Sequence, residues 1–194
     1  MTEPVEGGGR RRSPWGLRSR VSRLYGSRRQ RLLVVPRAAM DARFGSARVD
    51  ADDDNRWLRT HLDDGTVVEV GFAGSFRMFG ALIDTQWTAR RGSVAPEAAR
   101  YEYRFDKKAF VARSGGDAGT ASRLTDPTVS RLAARSEIKK LTVLIGDGGA
   151  QVELVSLAGT ITAVYFPPMP PYTVVMKEDE AADHIALVLH LLGG

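Results

Sequence analysis

The chain has 194 residues, 43% of them apolar, and no cysteine. That length suits one ordinary domain or two small related halves, and the missing cysteine excludes disulfides, thiolate metal sites and cysteine nucleophiles. The net charge of +5 is uneven: residues 1–40 hold ten arginines against Glu3 and Glu6, while the remainder holds 18 basic and 21 acidic residues. The basicity belongs to an N-terminal arm, and the body is mildly acidic.

Arg10-Arg11-Arg12 is not followed by an apolar run of signal length. The apolar run from Ile185 to Leu189 is too short to span a bilayer. The expectation is a cytoplasmic protein without a transmembrane segment. Its predicted organisation is a basic, largely disordered arm over 1–30 and a single α+β domain over 31–194.

Residues 1–9 are small, polar and glycine-rich. Ser13-Pro14 then supplies an N-cap and a first-turn proline. Trp15, Val21, Leu24 and Tyr25 fall to one side of the helix this starts, Arg18, Arg20 and Arg23 spread over the rest, and Gly26 ends it. One reading docks the apolar side on the body and leaves the arginines solvated. The other makes Arg10, Arg11, Arg12, Arg18, Arg20, Arg23, Arg28, Arg29 and Arg31 a contact for a polyanion, either nucleic acid or anionic lipid, through residues 10–31.

Arg31–Val35 reads as a first strand cut by Pro36. Asp50 to Asn55 crowds four carboxylates like half a calcium loop, but lacks the central glycine and has His61 where the closing glutamate belongs. A solvated acidic turn is expected there. A hairpin follows: Trp57–Leu62, the turn Asp63-Asp64-Gly65, and Thr66–Phe72. Ala73-Gly74-Ser75 reads as a turn into Phe76–Thr88, with Gly80 as a bend inside that run. Tyr101 to Asp106 alternates aromatic and charged residues, as a half-buried antiparallel strand does.

Residues 112–125 read as a polar loop, and Asp126-Pro127 starts a helix whose apolar side is Val129, Leu132 and Ala133. Residues 140–166 read as three strands, Leu141–Ile145, Gln151–Leu157 and Thr160–Phe166, turning at Asp147-Gly148-Gly149 and Ala158-Gly159. A proline corner (Pro167, Pro168, Pro170, Pro171) leads to a closing helix from about Glu178, with Ala182, Ile185, Ala186, Leu189 and Leu192 at helical spacing. Ile185, Leu189 and Leu192 should pack on sheet residues such as Val143 or Val152, leaving His184 and His190 at the helix's wet edge. The terminal Gly193-Gly194 reads as a helix cap.

Two segments share an order of events. Asp64-Gly65 precedes VEVGFAGSF (Val68–Phe76), and Asp147-Gly148 precedes VELVSLAGTI (Val152–Ile161). Turn chemistry and strand alternation can produce that match unaided. The alternative is an internal duplication, with halves at 31–111 and 126–194 joined into one sheet. The predicted fold is a mostly antiparallel sheet of hairpin and meander units, packed by the C-terminal helix and a second short helix.

No motif rises to a reaction. The phosphate-loop, dinucleotide, H-E-x-x-H and G-x-S-x-G patterns are absent, and Gly146–Gly149 lies between two strands, where a hairpin turn accounts for it. His184 and His190 are six apart on one helix and cannot chelate together, and His61 reads as exposed on its strand. Asp84 with Glu69 or Glu153 could meet across strands for acid–base work. Phe72, Phe76, Met78, Phe79 and Trp87 read as core, with an apolar ligand pocket or partner surface as the competing reading. No residue points to a metal or a cofactor.

The segment Ser156–Leu192 (SLAGTITAVYFPPMPPYTVVMKEDEAADHIALVLHLL) resembles the ends of small uncharacterised proteins from high-GC bacteria, which close with a strand, a proline-aromatic corner and an acidic-start apolar helix. The resemblance implies a bacterial origin and that layout, and it assigns no functional residue. The favoured expectation is a non-enzymatic binding or interaction protein, whose partner is another protein or a small ligand. Its alternatives are polyanion binding through the arm and a carboxylate-based enzyme on the open sheet face.

Overall fold

The computed structural model describes residues 28–51, 57–77, 80–164 and 169–193. The arginines at 10, 11, 12, 18, 20 and 23, part of the acidic run (52–55), Met78-Phe79, Pro167-Pro168 and the last glycine lie outside them. Among the described residues nine strands build one antiparallel sheet: β1 (Val49–Ala51), β2 (Trp57–His61), β3 (Thr66–Arg77), β4 (Gly80–Gly92), β5 (Ala99–Arg104), β6 (Ala109–Ala112), β7 (Ile138–Gly146), β8 (Gly149–Val164) and β9 (Tyr172–Thr173). Their order is β1-β2-β3-β4-β8-β7-β5-β6, with β9 on β8 beyond the point where β7 stops. Among the described residues, and besides a helical stretch at 28–32, the helices are α1 (Val34–Phe44), α2 (Ala118–Leu124), α3 (Pro127–Arg135) and α4 (Glu178–Gly193). This is the α+β class that the alternating strands and the apolar closing helix predict.

Alternation along the strands decides which face is covered. Leu58 and Thr60 on β2, Val68 and Val70 on β3, Trp87 and Ala89 on β4, Val152 and Leu154 on β8, and Leu141 and Val143 on β7 are all buried. All of them but Thr60 share a cluster with Met40 of α1, Val129 and Leu132 of α3, and Ile185, Val188 and Leu191 of α4. The helices thus hide one sheet face and leave the other to solvent. The Asp63-Asp64-Gly65 hairpin forms as its residues demand: Gly65 takes φ +79°, and the Asp64 carboxylate accepts the Thr66 amide at 2.9 Å. That amide and the Thr66 hydroxyl, more than the nearby Arg91, hold the Asp64 carboxyl below its ordinary range.

Four stretches differ from the sequence expectation. The strand expected over Arg31–Val35 is helical instead: residues 28–32 and α1 form two helical stretches that break at Leu33. Pro36 explains the break, because it has no N–H to offer the Leu32 carbonyl four residues back. The buried positions Leu32, Leu33, Pro36 and Met40 follow a helical period that stopping at the proline concealed. Leu32 packs on Ala81, Ile83, Ile161 and Ala163, a smaller cluster at the far end of β3, β4 and β8.

The Ala73-Gly74-Ser75 turn is also absent, since β3 runs straight through it and pairs Ala73 with Asp84, Gly74 with Ile83 and Ser75 with Leu82. Gly80 is the first residue of β4, not a bend within it; a Cβ there would lie 2.4 Å from the Ala163 carbonyl oxygen.

The turn expected at Ala158-Gly159 is a bulge within the continuous strand β8. Pairing with β4 jumps from Ser156↔Thr85 to Ile161↔Ile83, so four residues on β8 face one on β4. The described residues 140–164 therefore make a hairpin whose second arm is long, not three strands. Gly159 sits in the bulge at φ +78°, with its carbonyl accepting from the Thr85 hydroxyl at 2.9 Å and its amide donating to Val174 at 2.8 Å. A Cβ there would meet Thr85 Oγ1 at 2.3 Å. Gly159→Val should cost about 2 kcal/mol or more, from the positive φ and the clash together. An unchanged urea midpoint would refute this. The two Val-Glu…Ala-Gly segments land on β3 and β8, which flank the common strand β4.

Residues 112–125, expected as a loop, contain α2. Asp117 is its N-cap and accepts the Thr120 amide at 2.9 Å. α3 spans the expected residues, with Asp126 accepting the Val129 amide at 2.9 Å and Pro127 in the first turn. No helix among the described residues is long and apolar enough to cross a membrane.

Candidate functional site

The solvated sheet face carries a cross-strand charge pattern. Arg59 grips Glu69 at 2.5 Å while its guanidinium lies 4.4 Å over the Trp57 ring. Glu153 accepts from Lys140 and from Gln86, each at 3.1 Å. Asp84 is held by Lys139 and by the Thr160 hydroxyl. The carboxylate pairs expected for acid–base work do not form. Glu69 and Glu153 lie on the rung of Thr88, four positions along β4 from Asp84, or about 13 Å at strand rise. Each carboxylate has a basic partner, as solvated sheet faces commonly arrange. Among the described residues no group of three His, Asp or Glu could hold a metal ion.

The described arginines of the arm are partly committed to the body. Arg28 donates to the Pro171 carbonyl at 3.1 Å, and Arg29 lies 5.9 Å from the centre of the Phe72 ring. Arg31 is exposed.

Smaller cavities of about 280 and 370 Å³ lie among the charged residues of the open sheet face, and two others border α4 on the helical side. The face of α4 turned to the sheet is Ala181, His184, Ile185, Val188, Leu191 and Leu192, all buried. Ala182, Ala186 and Leu189, taken with them as one stripe from the sequence, lie round the side and are exposed or half-buried. There, α4 and α1 form the walls of a groove of about 760 Å³. Ala38, Ala39 and Ala42 face Ala182, Ala186, Ile185 and Leu189 across it, with Glu178, Arg43 and His190 at its margins. Five alanines make the groove: side chains this small leave the space between two helices unfilled.

His190 also borders a second cavity of about 420 Å³, lined by Tyr101, Asp117, Thr120, Arg123 and Asp126. Its polar groups serve the helix ends. Tyr101 donates to Asp117 at 3.2 Å, and His190 Nε2 lies 2.5 Å from Asp126 Oδ2. Hydrogen bonds from the Thr120 amide and hydroxyl hold the Asp117 carboxyl below its ordinary range. Burial pushes Asp126 up, but the His190 and Val129 hydrogen bonds outweigh it and the net shift is down. Both carboxylates are therefore ionised at neutral pH, which suits capping and not proton donation. Asp126→Ala removes the cap of α3 and the partner of His190 together, and should lower stability by about 1–2 kcal/mol in urea unfolding.

The three histidines divide. His61 is exposed, as expected. His190 is partly exposed but paired, with Asp126. His184, expected at the wet edge, is fully buried with no hydrogen-bond partner for either ring nitrogen among the described residues. It packs at 5.9 Å against Trp87, the largest buried side chain, at an interplanar angle of 56°. Burial alone pushes its pKa down to about 4. The near-continuous apolar run Ile185–Leu192 fits several phases of a helix, so the sequence does not single out the one that turns His184 inward.

The signals for the groove were present as spacing: Ala38 and Ala42 are four apart, as are Ala182 and Ala186, which puts each pair on one helix face. The wall on α1 lies within residues 36–55, where the sequence shows no clean period and no helix is expected. Comparisons of the chain with protein-family models, with curated proteins and with solved structures found no match.

Proposed function

We propose that this is a non-enzymatic binding protein whose binding surface is the groove between α1 and α4. One observation carries the reading: the groove of about 760 Å³ between α1 and α4 is mainly apolar and walled largely by alanines, while the carboxylates on the open sheet face are each held by a basic partner. Apolar clefts with a few polar groups at the margin are the usual form of small-ligand and helix-accepting sites. Here those marginal groups are Glu178, Arg43 and His190.

The occupant is an apolar body, either a compact ligand or the apolar side of a helix. The neutral dye N-phenylnaphthylamine tests the site without appealing to the basic arm. The full chain should bind it saturably at one site. Ala186→Glu, which puts a carboxylate on the groove wall, should weaken binding at least tenfold, about 1.4 kcal/mol. Glu153→Gln on the opposite face should leave binding unchanged. Absence of saturable binding, or equal loss in both variants, refutes the reading.

A further inference from the structure

The groove between α1 and α4 has two electrically different ends. Both helices start at the same end of the sheet: Leu32, just before α1, clusters with Ile161, and Met176, just before α4, lies beside Gly159. At about 1.5 Å per residue, Ala38 then stands level with Ala182, Ala42 with Ala186, and Arg43 near the last turns of α4. Arg43 and His190 therefore share one end of the groove, and Glu178 marks the other, about 18 Å back along α4.

His190 is also where the groove meets the second cavity. It lines both, with Leu189 on the groove side and Leu191 on the other. Arg123 lines that second cavity. Arg43 and Arg123 are exposed, and neither has a carboxylate partner among the described residues. Arg123 spends one N–H on the Thr120 hydroxyl at 2.9 Å. His190 gives Nε2 to Asp126, which leaves Nδ1 without a partner among the described residues.

We infer that the ligand of the groove is a single-chain amphiphile with a carboxylate head. Its chain lies along the alanines, and its head sits over His190, between Arg43 and Arg123. This rests on the groove being the binding site and adds the chemistry and direction of what it holds.

Magnitudes favour an anion at that end. The C-termini of α1 and α4 oppose it with about half a charge each. Arg43 and Arg123 outweigh them with a full positive charge each. The carboxylates nearby are already engaged: Asp126 by His190 and the Val129 amide, Asp117 by the Tyr101 hydroxyl and the Thr120 amide. A guanidinium fork also matches a carboxylate in shape. At the far end Glu178, Asp179 and Glu180 repel a second carboxylate, so the ligand has one head and one orientation.

Decanoate, decanol and decyltrimethylammonium share a chain length and differ in head charge. In calorimetric titrations of the full chain, below micelle formation, decanoate should bind about tenfold tighter than decanol, and decyltrimethylammonium weakest. Arg43→Gln and Arg123→Gln should each cut the preference for decanoate about threefold, while Arg43→Lys keeps most of it. Arg90→Gln removes the same charge from the open sheet face and should leave all three affinities unchanged.

Equal affinities for the three heads overturn the inference and leave the groove reading standing. Tightest binding of the cation also overturns it and places the head at Glu178. A carboxylate preference that Arg90→Gln lowers as much as the groove variants do reflects net charge alone, and overturns it as well. If none of the three binds while N-phenylnaphthylamine does, the inference fails and the groove takes an apolar body without such a head. If the dye fails too, the groove reading falls with it.

Discussion

Trp87→Ala should cost the fold about 3–5 kcal/mol, the range for removing a fully buried large aromatic. Trp87 is the largest side chain in the core and sits on β4 at the centre of the sheet, between Val70 on β3 and Leu154 on β8. It also forms the floor against which His184 packs. The vacated volume would border sheet on two sides and α4 above, so little can collapse into it. Domains hold about 5–15 kcal/mol in all, so the variant should be near the limit of folding. Trp87→Phe keeps an aromatic ring and removes an indole N–H that has no partner among the described residues, and should cost less than half as much. Urea unfolding followed by circular dichroism measures both. A loss under 1 kcal/mol for Trp87→Ala would show that this position is not the centre of the core.

The second large effect is a loss of stability with acid that begins unusually early. In the folded chain His184 has a pKa of about 4, because burial penalises its charged form. In the unfolded chain it returns to about 6.5. Between those values the unfolded state holds a proton that the folded state does not, so stability falls as pH falls through that window. The full difference is about 3 kcal/mol, present above pH 6.5 and gone below 4.

The carboxylates whose folded pKa values are lowered, Asp64, Asp106, Asp117 and Asp126, act in the same direction but from about pH 4 downward. The two windows therefore separate. His184→Leu should flatten the dependence between pH 6.5 and 4 and leave the lower limb in place. It should not destabilise at pH 7, because an apolar side chain there replaces two ring nitrogens that lack partners among the described residues. Parallel curves for the two proteins would mean that the imidazole has a partner in solution, a buried water being the simplest.

What could be read from residues alone was whatever depends on neighbours in sequence. The Asp-Asp-Gly hairpin, the Asp-Pro helix start and the acid-led closing helix depend on turn, cap and dipole chemistry within a few positions, and all three are where they were expected. What could not be read depended on partners far along the chain. Ala-Gly makes no turn at 73–74 because β4 pairs straight across it, yet bulges at 158–159, where Thr85 and Val174 receive the displaced backbone.

The inward turn of His184 is set by which side of α4 meets Trp87, and that is a tertiary fact. The candidate groove shows the same division. Its alanines stand at visible spacing, but one wall lies in residues 38–43, beyond Pro36, where the sequence alone shows no clean period and the proline reads as the end of the element before it. In a helix the same proline sits in the first turn of α1, where its missing N–H is tolerated.

The central claim is that the apolar space between α1 and α4 is where this protein binds. The most direct test is a titration of the isotope-labelled full chain with N-phenylnaphthylamine, followed by backbone amide resonances. The account predicts that Ala39, Ala42, Ala182 and Ala186 shift together and saturably while Lys140 and Glu153 on the far face stay still. Shifts centred on the open sheet face, or none that saturate, would contradict it.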